Sequence, residues 1–213
     1  MKTDLHVHTR YSDGLSNLDE ILEGAEQRHI DMIAITDHAI SYKGLTPRQF
    51  MAQRAEVDAL RSSFKVKVLV GLEVEMKSSG MDELHKYDSP DILLLSSHEL
   101  VDPQTYIQNI ENSLKNYSFK VLAHHRWHPL YPVDHSMDER LVELLKTYDV
   151  AVEINNRHHL PGDGFLRLCS EMELRYTLGS DAHHAGEVGN MGWSESMARR
   201  LFDTEKIYIP QMP

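Results

Sequence analysis

Short apolar runs alternate with longer amphipathic stretches along most of the chain. The apolar runs consist mainly of Val, Ile and Leu and show little polar alternation, which is typical of strands buried on both faces of a parallel sheet. They span residues 2–6, 32–36, 66–72, 92–95, 121–123, 150–154 and 176–178. The pattern therefore predicts seven β-strands.

The stretches between these runs carry helix signals. Polar cap residues, capping-box pairs and prolines at the first helical position mark the starts of four helices. These helices are predicted over residues 17–29, 46–64, 102–117 and 136–148, and shorter ones over 164–172 and 195–202. Strands separated by helices indicate repeated βαβ units and a parallel sheet. The periodicity leaves two topologies open, an open doubly wound sheet and a closed α/β barrel.

Length and composition narrow the classes of protein. The chain has 213 residues and no low-complexity linker, so we expect a single domain over residues 1–213. It shows no signal-peptide pattern and no long uncharged apolar run, which predicts no membrane span. The single cysteine, Cys169, suits a reducing compartment, and we expect a cytoplasmic protein.

The net charge of −11 disfavours a broad surface for nucleic acid or membranes, because such surfaces need clustered Lys and Arg. A small anionic substrate remains compatible with this charge, since bound cations can reverse the local field.

Polar side chains with metal-binding chemistry follow nearly every predicted strand. The chain has 14 histidines, and histidine is a leading ligand for zinc and similar metals. The strand-end residues are His6 and His8, Asp37 and His38, Glu73, His98, His124 and His125, Glu153 and Asn155, and Asp181 and His183. Because the carboxyl ends of parallel strands meet at one face, we expect a shared site there. Mixed imidazole and carboxylate ligands suit zinc, manganese or iron.

Several of these residues stand in short motifs that resemble one family. The motifs are His6-Val7-His8, Ser12-Asp13-Gly14, Thr36-Asp37-His38, Gly71-Leu72-Glu73, His98, Ala123-His124 and Ser180-Asp181-Ala182-His183. In this order they resemble the PHP family, named after polymerase and histidinol phosphatase, from the start of the chain to about residue 186. The resemblance implies a distorted (β/α)7 barrel, similar to a TIM barrel, with its metal site at the C-terminal ends of the strands.

The resemblance also implies a distribution of metal ligands. A first metal would be held by His6, His8, Glu73 and Asp181, a second by Glu73 as a bridge with His98 and His124, and a third by Asp13, His38 and His183. Of these nine, His6, His8, Glu73, His98, His124, Asp181 and His183 would also take part in catalysis. At the fifth strand many members read Ala-His-Pro, whereas this chain reads Ala123-His124-His125. That departure leaves His125 as a candidate substitute ligand or substrate contact.

The implied activity is that of a metal-dependent phosphoesterase. We expect hydrolysis of a small phosphate ester through a metal-bridging hydroxide at a centre of two or three zinc, manganese or iron ions. A carboxylate that bridges two such ions suits two-metal hydrolysis. Arg10 and Arg126 each follow a strand end and are candidates for binding the phosphate, because guanidinium groups bind phosphate bidentately.

Three alternatives remain. The first is a histidinol phosphatase, although Asp13 within Ser-Asp-Gly resembles other members more closely. The second is a phosphoesterase for nucleotides or short oligonucleotides. The third is a non-catalytic metal-binding domain, which the complete set of candidate ligands disfavours.

Overall fold

A computed structural model describes residues 1–41, 43–76, 81–125 and 135–212. The strands are β1 (Thr3–Val7), β2 (Met32–Ile35), β3 (His38–Ala39), β4 (Lys67–Val70), β5 (Leu72–Glu75), β6 (Leu93–Ser96), β7 (Val121–Leu122), β8 (Ala151–Asn155) and β9 (Tyr176–Gly179). The α-helices are α1 (Leu18–Gln27), α2 (Pro47–Leu60), α3 (Pro103–Asn116), α4 (His135–Thr147), α5 (Asp163–Glu171) and α6 (Gly192–Leu201). Short 3-10 helices cover Arg61–Ser63, Asp82–Lys86 and Thr204–Lys206.

All paired strands in the described residues run parallel, in two sheets. One sheet has the order β1-β2-β4, and the other has the order β3-β5-β6-β7-β8-β9. Only two residues separate β2 from β3, and only Gly71 separates β4 from β5. Each of these pairs therefore forms one interrupted strand that belongs to both sheets. Seven strand paths result, in agreement with the seven predicted apolar runs.

The last strand path returns to the first. Val7 and Ala182 form a parallel bridge, the His8 amide donates to the Ala182 carbonyl at 2.8 Å, and the Asp181 amide donates to the His6 carbonyl at 2.9 Å. These contacts bring the end of β9 against β1. The predicted fold, a distorted α/β barrel of parallel strands, is confirmed. Its hydrogen-bond ladder is interrupted rather than continuous.

Two apolar clusters fill the two sides of the strands. In β2, Ile33 and Ile35 belong to the large cluster that includes the helices, whereas Met32 and Ala34 belong to a smaller cluster. The smaller cluster contains Leu5, Met32, Ala34, Leu69, Ile92, Leu94, Val121 and Ala123. Its members come from strands or their immediate flanks, so this cluster is the inner core of the barrel. Both faces of the strands are buried, which explains the weak polar alternation in the sequence.

A β-bulge lies in β1. Asp4 pairs with Ile33 and Val7 pairs with Ile35, so β1 advances three residues while β2 advances two. Leu5 and His6 therefore share the space opposite one residue of β2. Leu5 joins the inner core, and His6 also turns inward, toward the ends of the other strands. Bulges near active sites commonly redirect a side chain in this way.

Local signals account for most helix boundaries. Thr46 and Gln49 form the predicted capping box before α2: the Gln49 amide donates to Thr46 Oγ1 at 3.3 Å, and the Thr46 amide donates to Gln49 Oε1 at 2.8 Å. Near the end of the described residues, Ile207 forms a single parallel bridge with Tyr176. Among the described helices, none combines the length and apolar character needed to cross a membrane.

Asp4 connects β1 to the segments that follow β9. Its side chain is fully buried and accepts hydrogen bonds from the Ser180 amide at 2.9 Å and the Gly189 amide at 2.8 Å. Burial raises the pKa of this carboxyl, whereas the hydrogen bonds from Ser180 and Gly189 oppose the rise. Asp4 thus satisfies two buried backbone donors that lie far from it in sequence.

We expect Asp4→Ala to lower the free energy of unfolding of the metal-free protein by about 2–4 kcal/mol, because two buried N–H groups lose their acceptor. Denaturant titration followed by circular dichroism measures this change. Asp58→Asn, on the exposed face of α2, is the matched control and should stay within about 0.5 kcal/mol of the parent. Equal stability of Asp4→Ala and the parent would contradict the role given to Asp4.

Candidate metal centre

The carboxyl ends of the strands bring all nine candidate ligands into one cluster. Eight of them line a cavity of about 230 Å³, together with Arg157 and His158. The lining residues are His8, Asp13, His38, Glu73, His98, His124, Arg157, His158, Asp181 and His183. His6 lies directly behind them and is 1% exposed.

The first predicted group meets around the Nε2 atoms of the two histidines of β1. His6 Nε2 lies 3.1 Å from His8 Nε2 and 3.4 Å from Glu73 Oε2. His8 Nε2 lies 3.5 Å from both Glu73 Oε2 and Asp181 Oδ1. The donor atoms of His6, His8 and Glu73 lie within 4.8 Å of one another, which is compatible with coordination of one ion. These four side chains are the ones that the resemblance assigns to a first metal.

The second group uses the other oxygen of Glu73. Glu73 Oε1 lies 2.8 Å from His124 Nε2 and 3.8 Å from His98 Nε2. The donor atoms of these three residues also lie within 4.8 Å of one another. Because one oxygen of Glu73 faces each group, its carboxylate has the geometry of a bridge between two ions.

The third group surrounds Asp13. Asp13 Oδ1 lies 3.6 Å from His38 Nε2 and 3.5 Å from His183 Nε2. His8 Nδ1 is 3.8 Å from the same oxygen. His8, Asp13, His38 and His183 meet the same distance criterion for a metal-binding group. His8 therefore faces the first group with one ring nitrogen and the third with the other.

The loop after β1 is folded back so that Asp13 reaches this position. The Gly14 amide donates to the Thr9 carbonyl at 2.9 Å. A Cβ atom at Gly14 would lie 2.8 Å from the His8 carbonyl oxygen, so only glycine fits this approach. The buried Asp37 carboxylate accepts from the Thr9 amide at 2.8 Å, from the Thr9 hydroxyl at 2.6 Å, and from Ser12 and Gln53. Asp37 therefore holds the loop and is not a ligand.

Two candidate ligands have a left-handed backbone. The φ angle is 27° at His124 and 55° at Asp181. A positive φ is uncommon for residues other than glycine, and such residues cluster at functional sites. At both positions the chain turns sharply just after a strand, which directs the side chain into the cluster.

The chemistry of the donor set fits divalent cations. Four buried polar atoms of the candidate ligands have no hydrogen-bond partner among the described residues: His8 Nδ1, Asp13 Oδ1, Glu73 Oε2 and His124 Nδ1. Buried polar groups normally have partners. Imidazole nitrogens and carboxylate oxygens that face each other without hydrogen bonds are suited to zinc, manganese or iron.

The carboxylates and imidazoles shift each other's pKa values strongly. Burial raises the pKa of Glu73, but the nearby histidines, led by His38, hold it well below its ordinary value. Burial lowers the pKa of His38, yet Glu73 and Asp13 raise it to about 10. Burial also lowers the pKa of His6, and the surrounding carboxylates, led by Glu153, raise it well above its ordinary value. For His8, burial dominates and lowers the pKa. Without metal, the cluster therefore holds protons that compensate its buried carboxylates.

The candidate substrate contacts and the candidate substitute ligand are His125, Arg10 and Arg126, and the structure places the first two away from the cavity. His125 is buried with its Nδ1 2.9 Å from the Tyr106 hydroxyl and its ring 4.3 Å from the ring of Phe165. Arg10 does not line the cavity; its Nε donates to the Leu15 carbonyl at 2.6 Å and its Nη1 to Asn17 at 3.1 Å. Arg126 lies outside the described residues. The substrate roles of Arg10 and Arg126 stay predictions.

The nine candidate ligands do not include several other residues that the structure places at the site. Glu75 hydrogen-bonds the His98 amide at 2.8 Å and its ring Nδ1. Glu153 and Asn155 contact three candidate ligands from below, and Arg157 and His158 line the cavity mouth. The signal for Glu153 was a charged residue inside an apolar run. Its partners, however, come from distant segments and could not be read from spacing.

Imidazoles and carboxylates gathered at the strand ends of a parallel α/β barrel are typical of metal-dependent hydrolases. The family model described as PHP domain matches residues 4–157. The chain belongs to the PHP family, and the resemblance seen in its motifs is confirmed.

Two relatives illustrate the range of this family. The chain is 29% identical over 201 residues to a probable phosphatase of Acetivibrio thermocellus, covering 87% of this chain and 81% of the relative. It is 27% identical over 237 residues to the DNA polymerase/3'-5' exonuclease PolX of Bacillus subtilis. That match covers 96% of this chain but only 40% of the polymerase.

Two solved structures share the fold. The histidinol phosphate phosphatase of Lactococcus lactis, crystallised with zinc, L-histidinol and phosphate, superposes with a TM-score of 0.73 at 17% identity, covering 97% of this chain and 94% of the other. A second structure comes from work on metal-dependent tyrosine phosphatases of Bacillus subtilis and Streptococcus pneumoniae. It superposes with a TM-score of 0.69 at 19% identity, covering 96% of this chain and 89% of the other. At these identities the likeness concerns the fold.

We expect His8→Ala and Asp181→Asn each to lower the content of zinc, manganese or iron by at least one ion per chain, since the first change removes a donor from the first group and the second replaces its anionic carboxylate with a neutral amide. Elemental analysis of purified, dialysed protein measures this. His85→Ala, an exposed histidine in a 3-10 helix, is the control and should retain the parental content. Parental content in both site variants would remove these residues from the list of ligands.

We expect the metal-free protein to become less stable as the pH rises from about 7 to about 10. The pKa of His38 is about 10 in the folded protein, against 6.5 ordinarily. Because the pKa of His38 is higher in the folded than in the unfolded protein, protonated His38 stabilises the fold. This stabilisation is complete below about pH 6.5 and is lost as the pH rises through the folded pKa. Urea titrations at several pH values measure it, and His38→Gln should flatten the decline. A stability that rises over this interval would contradict the assignment.

Proposed function

We propose that this chain is a metal-dependent phosphoric-ester hydrolase that acts on a small phosphate ester. The observation that supports the proposal is the cavity of about 230 Å³, lined by candidate ligands from six strand ends and the loop after β1. This volume lies below the usual range for sites that enclose a whole drug-sized ligand. We infer that the phosphate group enters the cavity and that the rest of the substrate stays at its mouth.

The donor groups would hold two or three divalent cations, in the three groups centred on His6 and His8, on His98 and His124, and on Asp13. When bound, such cations supply charge that stabilises phosphoryl oxygens and acidifies water. The chain's own contribution is to bury and orient the donors. Glu73 places one carboxylate oxygen toward each of two groups, which fixes their separation.

Two side chains at the cavity mouth are suited to contact the substrate. Arg157 lines the cavity, is 39% exposed, and forms an ion pair with Glu187 at 3.0 Å between Nη1 and Oε2. A guanidinium group there could bind a phosphate oxygen. His158 lies beside it, with Nε2 3.4 Å from Asp181 Oδ2 and the side chain 30% exposed. An imidazole in the cavity lining is suited to give a proton to the leaving oxygen.

Three observations bear on the substrate. The probable phosphatase of Acetivibrio thermocellus matches over most of its length, which favours a monoester. The histidinol phosphate phosphatase of Lactococcus lactis shares the fold, and histidinol phosphate is therefore a second candidate. The match to part of a polymerase and exonuclease keeps nucleotides and short oligonucleotides as a third. A non-catalytic metal-binding domain is the alternative from another class, and all nine candidate ligands argue against it.

We expect phosphate release from an aryl phosphate in the presence of Mn²⁺ or Zn²⁺, and loss of that activity with a chelator. Asp181→Asn should lower kcat/KM by at least about 100-fold because the first group loses an anionic ligand. His85→Ala should match the parent. A panel of amino-alcohol, sugar and nucleotide monoesters and one diester then ranks the substrates. Tight metal binding without turnover on any member of the panel would favour the non-catalytic alternative.

A further inference from the structure

The strand β8 contributes none of the nine candidate ligands, yet two of its side chains lie directly beneath them. Glu153 and Asn155 are two residues apart, so both point to the same face of the strand. They are 1% and 0% exposed. A buried carboxylate costs free energy unless it is paired and hydrogen-bonded, so its contacts should explain its presence.

Glu153 divides its two oxygens between two candidate ligands. Glu153 Oε1 lies 2.7 Å from His6 Nδ1. Glu153 Oε2 accepts from the His124 amide at 2.7 Å and from Asn155 Nδ2 at 3.2 Å. The carboxylate thus touches the ring of a ligand from β1 and the backbone of a ligand that follows β7.

Asn155 extends the same contacts to a third ligand. Its Nδ2 donates to Asp181 Oδ2 at 3.1 Å, and its Oδ1 accepts from the His158 amide at 3.0 Å. The side chains of β8 therefore connect His6, His124 and Asp181, whose donor atoms lie within 4.8 Å of one another.

We propose that Glu153 is a positioning residue for the metal centre: it accepts the Nδ1 proton of His6 and so presents Nε2 of that ring to the metal. His6 Nε2 is the nitrogen that lies 3.1 Å from His8 Nε2 and 3.4 Å from Glu73 Oε2. A carboxylate on the far nitrogen fixes the tautomer and ring orientation of a ligating histidine and increases its basicity. This inference rests on the metal centre of the proposed function and adds the residue that orients it.

The neighbouring strand leaves room for this contact. Gly179, on β9, pairs with Asn155 in the parallel register. A Cβ atom there would lie 2.0 Å from Glu153 Oε1 and 2.8 Å from His6 Cβ. Any larger residue would push the carboxylate away from the histidine. Gly179 therefore offers a second way to disturb the contact, in which both polar partners remain.

The test compares Glu153→Gln and Gly179→Ala with the parent. Affinity for Zn²⁺ is measured by competition with a chromophoric chelator, and thermal unfolding is measured with and without Zn²⁺. We expect both variants to bind the metal about 10–100-fold more weakly and to show a smaller rise in Tm on metal addition. Glu171→Gln, exposed at the end of α5, should behave as the parent.

A parental Zn²⁺ affinity in Glu153→Gln would overturn the inference. A lower Tm of the metal-free variant with an unchanged rise in Tm on Zn²⁺ addition would also overturn it, since that pattern reports a purely structural role. Long-range ¹H–¹⁵N spectra of the zinc-loaded parent give an independent readout that needs no variant. We expect His6 to carry its proton on Nδ1, and a proton on Nε2 would contradict the proposal. If the parent hydrolyses no phosphoester but Glu153→Gln weakens metal binding, the inference holds and the proposed function fails.

Discussion

The buried carboxylate of Glu73 is the group on which the site depends. It is 1% exposed, and an unpaired charge at such a position would be very costly. Histidines from four different strand ends surround it: His6, His38, His98 and His124 all approach within 3.8 Å. The positive charge of His38 and His6, or that of bound cations, is what allows the carboxylate to stay ionised. The cluster is therefore stable only as a set, because each member compensates the burial of another.

The barrel wall is interrupted beside this cluster. β2 ends shortly before His38 and β4 ends shortly before Glu73. In each case the chain continues into the second sheet, as β3 and as β5. The shift between sheets allows the strand ends to converge on one small space. The net charge of −11 makes such local compensation more important, since negative charge elsewhere disfavours the ionised form of a further carboxylate.

Much of the fold could be predicted from the sequence, because buried parallel strands produce apolar runs and helices carry capping signals. The grouping of the candidate ligands could be anticipated too, since strand ends converge. Other features depend on contacts between distant segments. His124 and His125 are adjacent in sequence, but the positive φ at His124 sends their rings in different directions. Likewise, nothing in the local sequence distinguishes Arg10, which is held by its own loop, from Arg157, which lines the cavity.

The bulge in β1 gives the length of that strand a significance of its own. The extra residue between Asp4 and Val7 shifts the inward and outward alternation of side chains. As a result, Leu5 enters the inner core and His6 still faces the ligand cluster. Removing or adding one residue in this interval would exchange inward and outward positions on one side of the bulge. A ligand would then point at the helices although no ligand had been mutated. Among relatives, β1 should tolerate substitutions at its apolar positions far better than any change in its length.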